Sequence, residues 1–159
     1  MLFRSYAAGS KPANLAVSAS VASNCTITTA AVAFGAYDPI VTNAATALTG
    51  NGSITIACTK ASIPTLKLDL GATPAGSVRQ MASGAERLPY ELYQPPSNVA
   101  GTACGALSQV WGTAGAAVLT TVAAPSKAAR TYSVCGSIAG GADVAVGAYA
   151  DTVIATVTF

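Results

Sequence analysis

Apolar and polar residues alternate with a period of two through much of the chain. That alternation turns one face of an extended strand toward a core and the other toward solvent. Leu15, Val17, Ala19 and Val21 alternate with Ala16, Ser18 and Ser20, which predicts a first strand. A second is expected at residues 31–34, ended by Gly35, and a third at residues 53–58, after the Asn51-Gly52 turn signal. A fourth covers residues 65–70, with Leu66, Leu68 and Leu70 on one face and Lys67 and Asp69 on the other. Leu88, Tyr90 and Leu92 line a fifth, residues 118–122 form a sixth and residues 130–138 a seventh. The chain ends in a strand over 151–159, with Val153, Ala155, Val157 and Phe159 in one phase. Short strands between Gly, Pro and Asn turns predict an all-β sandwich. No long amphipathic helix is expected; the Ala-rich stretch 44–48 predicts one helical turn. Gly35-Ala36-Tyr37-Asp38 is echoed by Gly147-Ala148-Tyr149-Ala150-Asp151. Both read as entries from a turn into a strand, with the tyrosine packed on the sheet.

Composition narrows the classes. The 159 residues fit one domain. The chain is 52% apolar, but 35 of its residues are alanine and 18 are threonine. Residues 92–126 carry no charge, yet Pro95, Pro96, Gly101, Gly105, Gly112, Gly115 and Pro125 interrupt every apolar run. None approaches the roughly 20 residues of a spanning helix, so no transmembrane segment is expected. Only 9% of residues are charged, against about 25% in an average soluble protein. So little charge suits a protein that lives among copies of itself.

The net charge of +2 comes with no basic stripe, which argues against nucleic acid. The absence of histidine excludes Ser-His-Asp and Cys-His nucleophilic sites and HExxH zinc sites. Asp38, Asp69, Asp143 and Asp151 belong to no DxDxDG calcium loop. Glu86 and Glu91 read as solvated surface, and Trp111 and Tyr93 as core packing rather than a sugar platform. Gly140-Gly141 lacks the context of a phosphate-binding loop. Neither a cofactor nor a metal is expected, and the chain does not read as an enzyme.

Cys25, Cys58, Cys104 and Cys135 form no CxxC pair and have no histidine beside them. Their even count favours two disulfides and an oxidising compartment. Three pairings are possible. Residues 1–9 lack the apolar core of an intact secretory signal, and they read as a leader remnant, with Tyr6-Ala7-Ala8 beside a cleavage point, or as a cloning scar.

The motifs fall in a distinctive order. An alternating segment leads to Cys25. Phe34-Gly35-Ala36-Tyr37-Asp38-Pro39 and Gly52-Ser53-Ile54-Thr55-Ile56-Ala57-Cys58-Thr59 follow. Then come Arg79-Gln80-Met81, Leu88-Pro89-Tyr90-Glu91-Leu92-Tyr93 and Trp111-Gly112. Tyr132-Ser133-Val134-Cys135-Gly136, Gly147-Ala148-Tyr149-Ala150-Asp151-Thr152-Val153 and a closing Thr/Val strand complete the set. Over residues 13–159 this series resembles the spore coat protein U domain, the family of the archaic (Csu-type) chaperone–usher pilins.

The resemblance implies an immunoglobulin-like β-sandwich that lacks its final strand and is completed by a donor strand from a neighbouring subunit. A periplasmic chaperone fills the groove first. The N-terminal extension of the next subunit then replaces it at an outer-membrane usher. The chain divides accordingly into residues 1–9, a donor strand over 10–21 and a pilin domain over 22–159. Leu15, Val17, Ala19 and Val21 would be the inserted side chains, and Val153, Ala155, Val157 and Phe159 would line the acceptor groove. The expected role is the major rod subunit of a cell-surface pilus used in adhesion or biofilm formation. A spore- or cell-coat protein and an adhesive tip module are the alternatives. A Cys25–Cys58 bridge resembles the family's usual one. Cys135 stands where the family usually has Tyr or Phe, and Cys104 lies in a longer insertion, so these two depart from the pattern together as an added bridge.

Overall fold

A computed structural model describes residues 1–5 and 7–159; Tyr6 of the leader reading lies outside the described residues. The strands are β1 (Cys25–Ala33), β2 (Leu48–Cys58), β3 (Thr65–Leu68), β4 (Arg79–Ser83), β5 (Glu86–Tyr93), β6 (Leu119–Thr120), β7 (Arg130–Ile138) and β8 (Ala155–Thr158). A five-stranded sheet in the order β1-β2-β7-β5-β4 faces a three-stranded sheet in the order β6-β3-β8. The fold is an all-β sandwich.

Alternation explains the inner faces. Ile54, Ile56 and Cys58 of β2, Leu66 and Leu68 of β3, Leu88, Tyr90 and Leu92 of β5, and Tyr132 and Val134 of β7 are all buried. Trp111 is fully buried between the layers and donates its indole Nε1–H to the Leu66 carbonyl at 3.0 Å. β2 is longer than its alternating core because both its edges are paired, and Leu48 already sits opposite Ile138.

Several expectations are corrected. Leu70 does not share the face of Leu66 and Leu68; it is 37% exposed, because the strand ends at Leu68. Asp69 Oδ1 accepts the N–H groups of Gly71 and Ile154, and Gly71 turns the chain at φ +80°. β4 had no alternating signature and was not expected as a strand. The stretch 44–48 forms no helical turn. The Asn43 side chain competes for its backbone, donating Nδ2–H to the Thr46 carbonyl; just before it, Asp38 Oδ1 takes the N–H groups of Ile40 and Val41. The bonds from Ile40 and Val41 hold the Asp38 carboxyl below its usual range. The terminal strand is shorter than 151–159, since residues 151–154 are occupied by loop contacts described below.

The expected strand over residues 15–21 is also absent. Residues 1–24, Tyr6 aside, carry no regular structure, and Leu15, Val17 and Val21 are 85–87% exposed. A strand needs a ladder partner and an apolar surface, and this arm has neither within its own chain. Only its base is fastened. Thr59 Oγ1 accepts the Asn24 N–H at 3.0 Å and reaches the Ala22 carbonyl at 3.2 Å.

Both disulfides join neighbours in sequence order. Cys25–Cys58 links paired positions of β1 and β2. Cys104–Cys135 clips the inserted loop to β7, where Gly101 N–H also bonds the Thr131 carbonyl and Ser133 Oγ bonds that of Thr102. Removing the Cys25–Cys58 bond by Cys25→Ser with Cys58→Ser should cost about 2–5 kcal/mol in urea denaturation.

Two arginines are buried in opposite circumstances. Arg79 is enclosed and paired with Glu91, and it donates to the carbonyls of Asp69, Leu68 and Trp111. Glu91 is therefore not the solvated group the sequence indicated; its Oε1 also accepts the Leu92 N–H. Arg130 has one bond, to the Val122 carbonyl, while its Nε and Nη2 have no protein partner. Breaking a satisfied buried pair is costly, whereas replacing a poorly satisfied charge with an apolar group is near neutral. Arg79→Met should lower unfolding free energy by about 3–5 kcal/mol, and Arg130→Met should change it by less than about 1 kcal/mol or raise it. Equal losses in the two variants would contradict this account.

Candidate functional site: an open apolar groove

The sandwich is closed along one side and open along the other. On the closed side, Arg79 and Trp111 bind both layers together. On the open side, among the described residues, β1 pairs only with β2, and β8 pairs only with β3. Each presents an unpaired edge, and the two edges flank a groove. Its walls are Thr29–Val32 with Phe34 on one side and Tyr149–Val153 with Ala155 on the other; Ile54, Leu68, Leu92 and Val134 lie beneath. The cavity holds about 580 Å³ and adjoins a second of about 730 Å³ beyond Phe34, between the 35–39 and 144–149 loops. Val32, Phe34, Met81 and Tyr149 line both.

A β-bulge shapes the β1 wall. Ala30 pairs with Ser53 and Ala33 with Asn51, so three steps on β1 match two on β2. One extra residue reverses the phase of a strand. Ile27 before the bulge and Val32 and Phe34 after it are all partly buried against the core, although they differ in parity. The Phe34 ring meets Tyr90 edge-to-face with centroids 6.2 Å apart. It lies so low on the sheet that a Cβ on Gly136 would come within 2.6 Å of it. Glycine there lets β1 lie close to the floor.

The opposite wall is held by two carboxylates. Asp69 Oδ1 takes the Ile154 N–H at 2.9 Å, and the Asp69 N–H returns a bond to the Ile154 carbonyl. Asp151 Oδ1 accepts from the N–H groups of Ala72 and Thr152, both at 2.8 Å, and its Oδ2 accepts from Tyr90 Oη at 2.6 Å. Gly71 is packed so tightly on Asp151 that a side chain there would collide with the carboxylate. Burial, and then the bond to Asp151, push the Tyr90 phenol well above its ordinary range.

Of the residues assigned to the acceptor from sequence, Val153 and Ala155 line the groove. Val157 packs partly buried on the core lower down β8, and Phe159 is mostly exposed beyond the strand. Leu15, Val17, Ala19 and Val21 are exposed on the arm. Sequence reasoning missed Phe34, Tyr90 and Asp151 as parts of the wall. The two Gly-Ala-Tyr echoes were the available signal. Tyr37 Oη donates to the Ala139 carbonyl at 2.6 Å and Tyr149 Oη to that of Ala145 at 2.7 Å, so each tyrosine staples a loop at one end of the groove. Trp111 is core, as expected. Among the described residues no cluster of His, Cys, Asp or Glu is suited to a metal, and no helix is long and apolar enough to cross a membrane.

The Tyr90–Asp151 bond carries a pH signature. Because the folded-state pKa of Tyr90 is raised above its ordinary 10.0, the neutral phenol contributes stability that is complete below pH 10 and is lost as the pH rises further. Tyr90→Phe should cost about 1–3 kcal/mol at neutral pH and should flatten the alkaline decline. Thermal melts from neutral to strongly alkaline pH check both, and a variant with an unchanged alkaline limb would refute the assignment.

A curated relative, Protein U of Myxococcus xanthus, is 31% identical over 96% of this chain and 87% of its own length. Among solved structures, the fold matches a chain in the crystal structure of the CsuC–CsuE chaperone–tip adhesion subunit pre-assembly complex from the archaic chaperone–usher Csu pili of Acinetobacter baumannii. The TM-score is 0.60 at 22% identity, over 87% of this chain. The present chain spans 40% of that chain's length, and the likeness concerns the fold. The family model of the Spore Coat Protein U domain matches residues 11–156. With most of its length inside that match, the chain belongs to the Spore Coat Protein U domain family.

Proposed function

We propose that the protein is a structural subunit of an archaic chaperone–usher fibre, polymerised by donor-strand exchange through its N-terminal arm. One observation carries the reading. The same molecule holds an unpartnered alternating apolar arm and an apolar groove between two unpaired strand edges. A strand laid in that groove gains ladder hydrogen bonds from β1 and β8, while alternate side chains fill it. Leu15, Val17 and Val21 would each contribute about 1.5–3 kcal/mol on burial, and Ala19 less. The sum, roughly 5–8 kcal/mol before the entropy of ordering, is a workable intersubunit bond. Identical subunits are then the lasting partners. A periplasmic chaperone covers the groove before assembly, an outer-membrane usher is the assembly platform, and the fibre stands on the cell surface, in the role of a rod subunit serving adhesion or biofilm formation. The role is structural rather than catalytic. The family's description and the identity with Protein U favour a second setting, a spore or cell coat, in which the same exchange links subunits into a shell.

Deletion of residues 1–21 should leave a domain that accepts a strand and donates none. Mixed with the full chain, it should shorten fibres in proportion to its share, as seen by electron microscopy. Val17→Asp would place an unpaired carboxylate in the groove, at a cost of several kcal/mol, and should abolish fibres while leaving the subunit's own fold intact. Fibres grown from the deletion protein alone would overturn the mechanism.

A further inference from the structure

The two ends of the sandwich differ in charge. β2 runs the full height of the five-stranded sheet, from Leu48 opposite Ile138 to Cys58 opposite Cys25. Its eleven residues place those ends about 33 Å apart. At the Leu48 end lie Asp38, Glu86 and Asp143. Asp38 sits in the 35–47 loop, Glu86 opens β5 and accepts from Ala145 N–H at 3.4 Å, and Asp143 is exposed in the neighbouring loop. Among the described residues Arg87 is the one cation there, and it bonds carbonyls of its own hairpin, Gly84 and Glu86. At the Cys58 end lie Lys60 and Lys127, both exposed. Their loops are joined by bonds from Ala61 N–H to the Ala124 carbonyl and from Ala124 N–H to the Ser62 carbonyl. Neither lysine meets a carboxylate among the described residues. Apolar side chains stand exposed beside both groups: Ile40, Val41 and Val146 at the acidic end, Ile63 and Val122 at the basic end.

The arm leaves from the basic end with no slack. Val21 is followed directly by Ala22, and both Ala22 and Asn24 are tied to Thr59 Oγ1, next to Lys60. A copy whose Val21 is seated in a neighbour's groove therefore brings its own Lys60 face against the mouth of that groove. If the arm entered past β8's Thr158 end, where Thr158 pairs with Thr65, like basic ends would meet. Entry past Phe34 brings Lys60 and Lys127 against Asp143 and Glu86, with Ile63 and Val122 toward Ile40, Val41 and Val146. Unlike charges brought together steer and orient, and like charges oppose.

We infer that the two ends are a second, head-to-tail interface between copies of this chain: the basic Thr59–Lys60 face of the donor docks on the acidic, apolar-rimmed loops of the acceptor, and Thr59 makes the joint stiff. The inference rests on donor-strand exchange and deepens it, since the strand supplies the bond and the end contact sets the angle between subunits.

Carbodiimide, a zero-length lysine–carboxylate cross-linker, tests it on assembled polymers of the full chain. Lys60 or Lys127 should couple to Asp143 or Glu86. The height of the sandwich forbids such a link within one subunit, so each one found is intersubunit. Lys60→Glu with Lys127→Glu should still polymerise but should give fibres whose persistence length, traced in electron micrographs, falls at least about two-fold. Adding Glu86→Lys and Asp143→Lys should restore it. Thr59→Val should lower stiffness without preventing polymerisation. Salt near 0.5 M, where screening acts over roughly 4 Å, should soften the unmodified fibre. Arm-dependent polymers with none of these cross-links, and a stiffness indifferent to the charge reversal, would overturn the end contact and leave strand exchange standing. A chain that never polymerises through its arm would overturn both.

Discussion

A buried guanidinium closes one side of this sandwich. Arg79 reaches from β4 to the carbonyls of Leu68 and Asp69 at the end of β3, to the carbonyl of Trp111 and to Glu91 on β5. Those bonds join the two sheets on the side where β4 also bridges Ala150, in the segment that leads into β8. Trp111 fills the space alongside and returns a bond to Leu66. With that side cross-tied, the layers can part on the other without the core coming apart. The open groove between β1 and β8 depends on this asymmetry: it is a gap in a frame that is rigid elsewhere. The cost of burying the charge is offset by the Glu91 carboxylate together with three carbonyl acceptors.

The groove itself is built from short-range devices. A bulge in β1 brings Val32 and Phe34 into phase with Ile27, glycine at 136 lets the ring lie low, and Asp69 and Asp151 hold residues 151–154 as a wall. The bulge and the carboxylate-held wall depart from regular pairing, while Gly136 keeps its place in the ladder opposite Gly50 and Leu92. Regular pairing would have carried β8 further toward the Tyr149 end and narrowed the opening. The protein thus spends irregularity where an added strand has to fit.

This division between regular and irregular parts also decides what could be read from the chain. β7 was legible to the residue, since alternation and burial agree at Tyr132, Val134 and Ile138, even though Cys135 is buried on the other face under its loop. The inner faces of β2, β3 and β5 were legible for the same reason. β4 was not, because Arg79 stands at a core position and a charged residue reads as surface until its acceptors are known. The bulge was invisible: residues 31–34 look like one short strand, and only the pairing with Ser53 and Asn51 shows the phase change. Leu70 was misplaced because its neighbour Asp69 serves Ile154, a partner 85 residues away. The arm's alternation was plain in Leu15, Val17, Ala19 and Val21, but alternation reports an affinity for a sheet edge without saying whose edge it is. The Thr59 fastening at its base depends on three-dimensional proximity that no local pattern encodes.

The loop clipped by Cys104–Cys135 has a consequence of another kind. It is bonded to β7 through Gly101, Thr102 and Cys104, and its residues do not line the groove. Its 35-residue neighbourhood, 92–126, carries no charge. A covalent staple lets such a segment hold its shape through its backbone instead of its side chains. Substitutions at the exposed positions of the loop around Cys104 are therefore freed from the demands of the groove. In an array of identical subunits each change there is repeated at every period, so this loop is where the exterior of the array can drift in sequence, in stickiness or in recognition by other organisms while the machinery that joins the subunits stays the same.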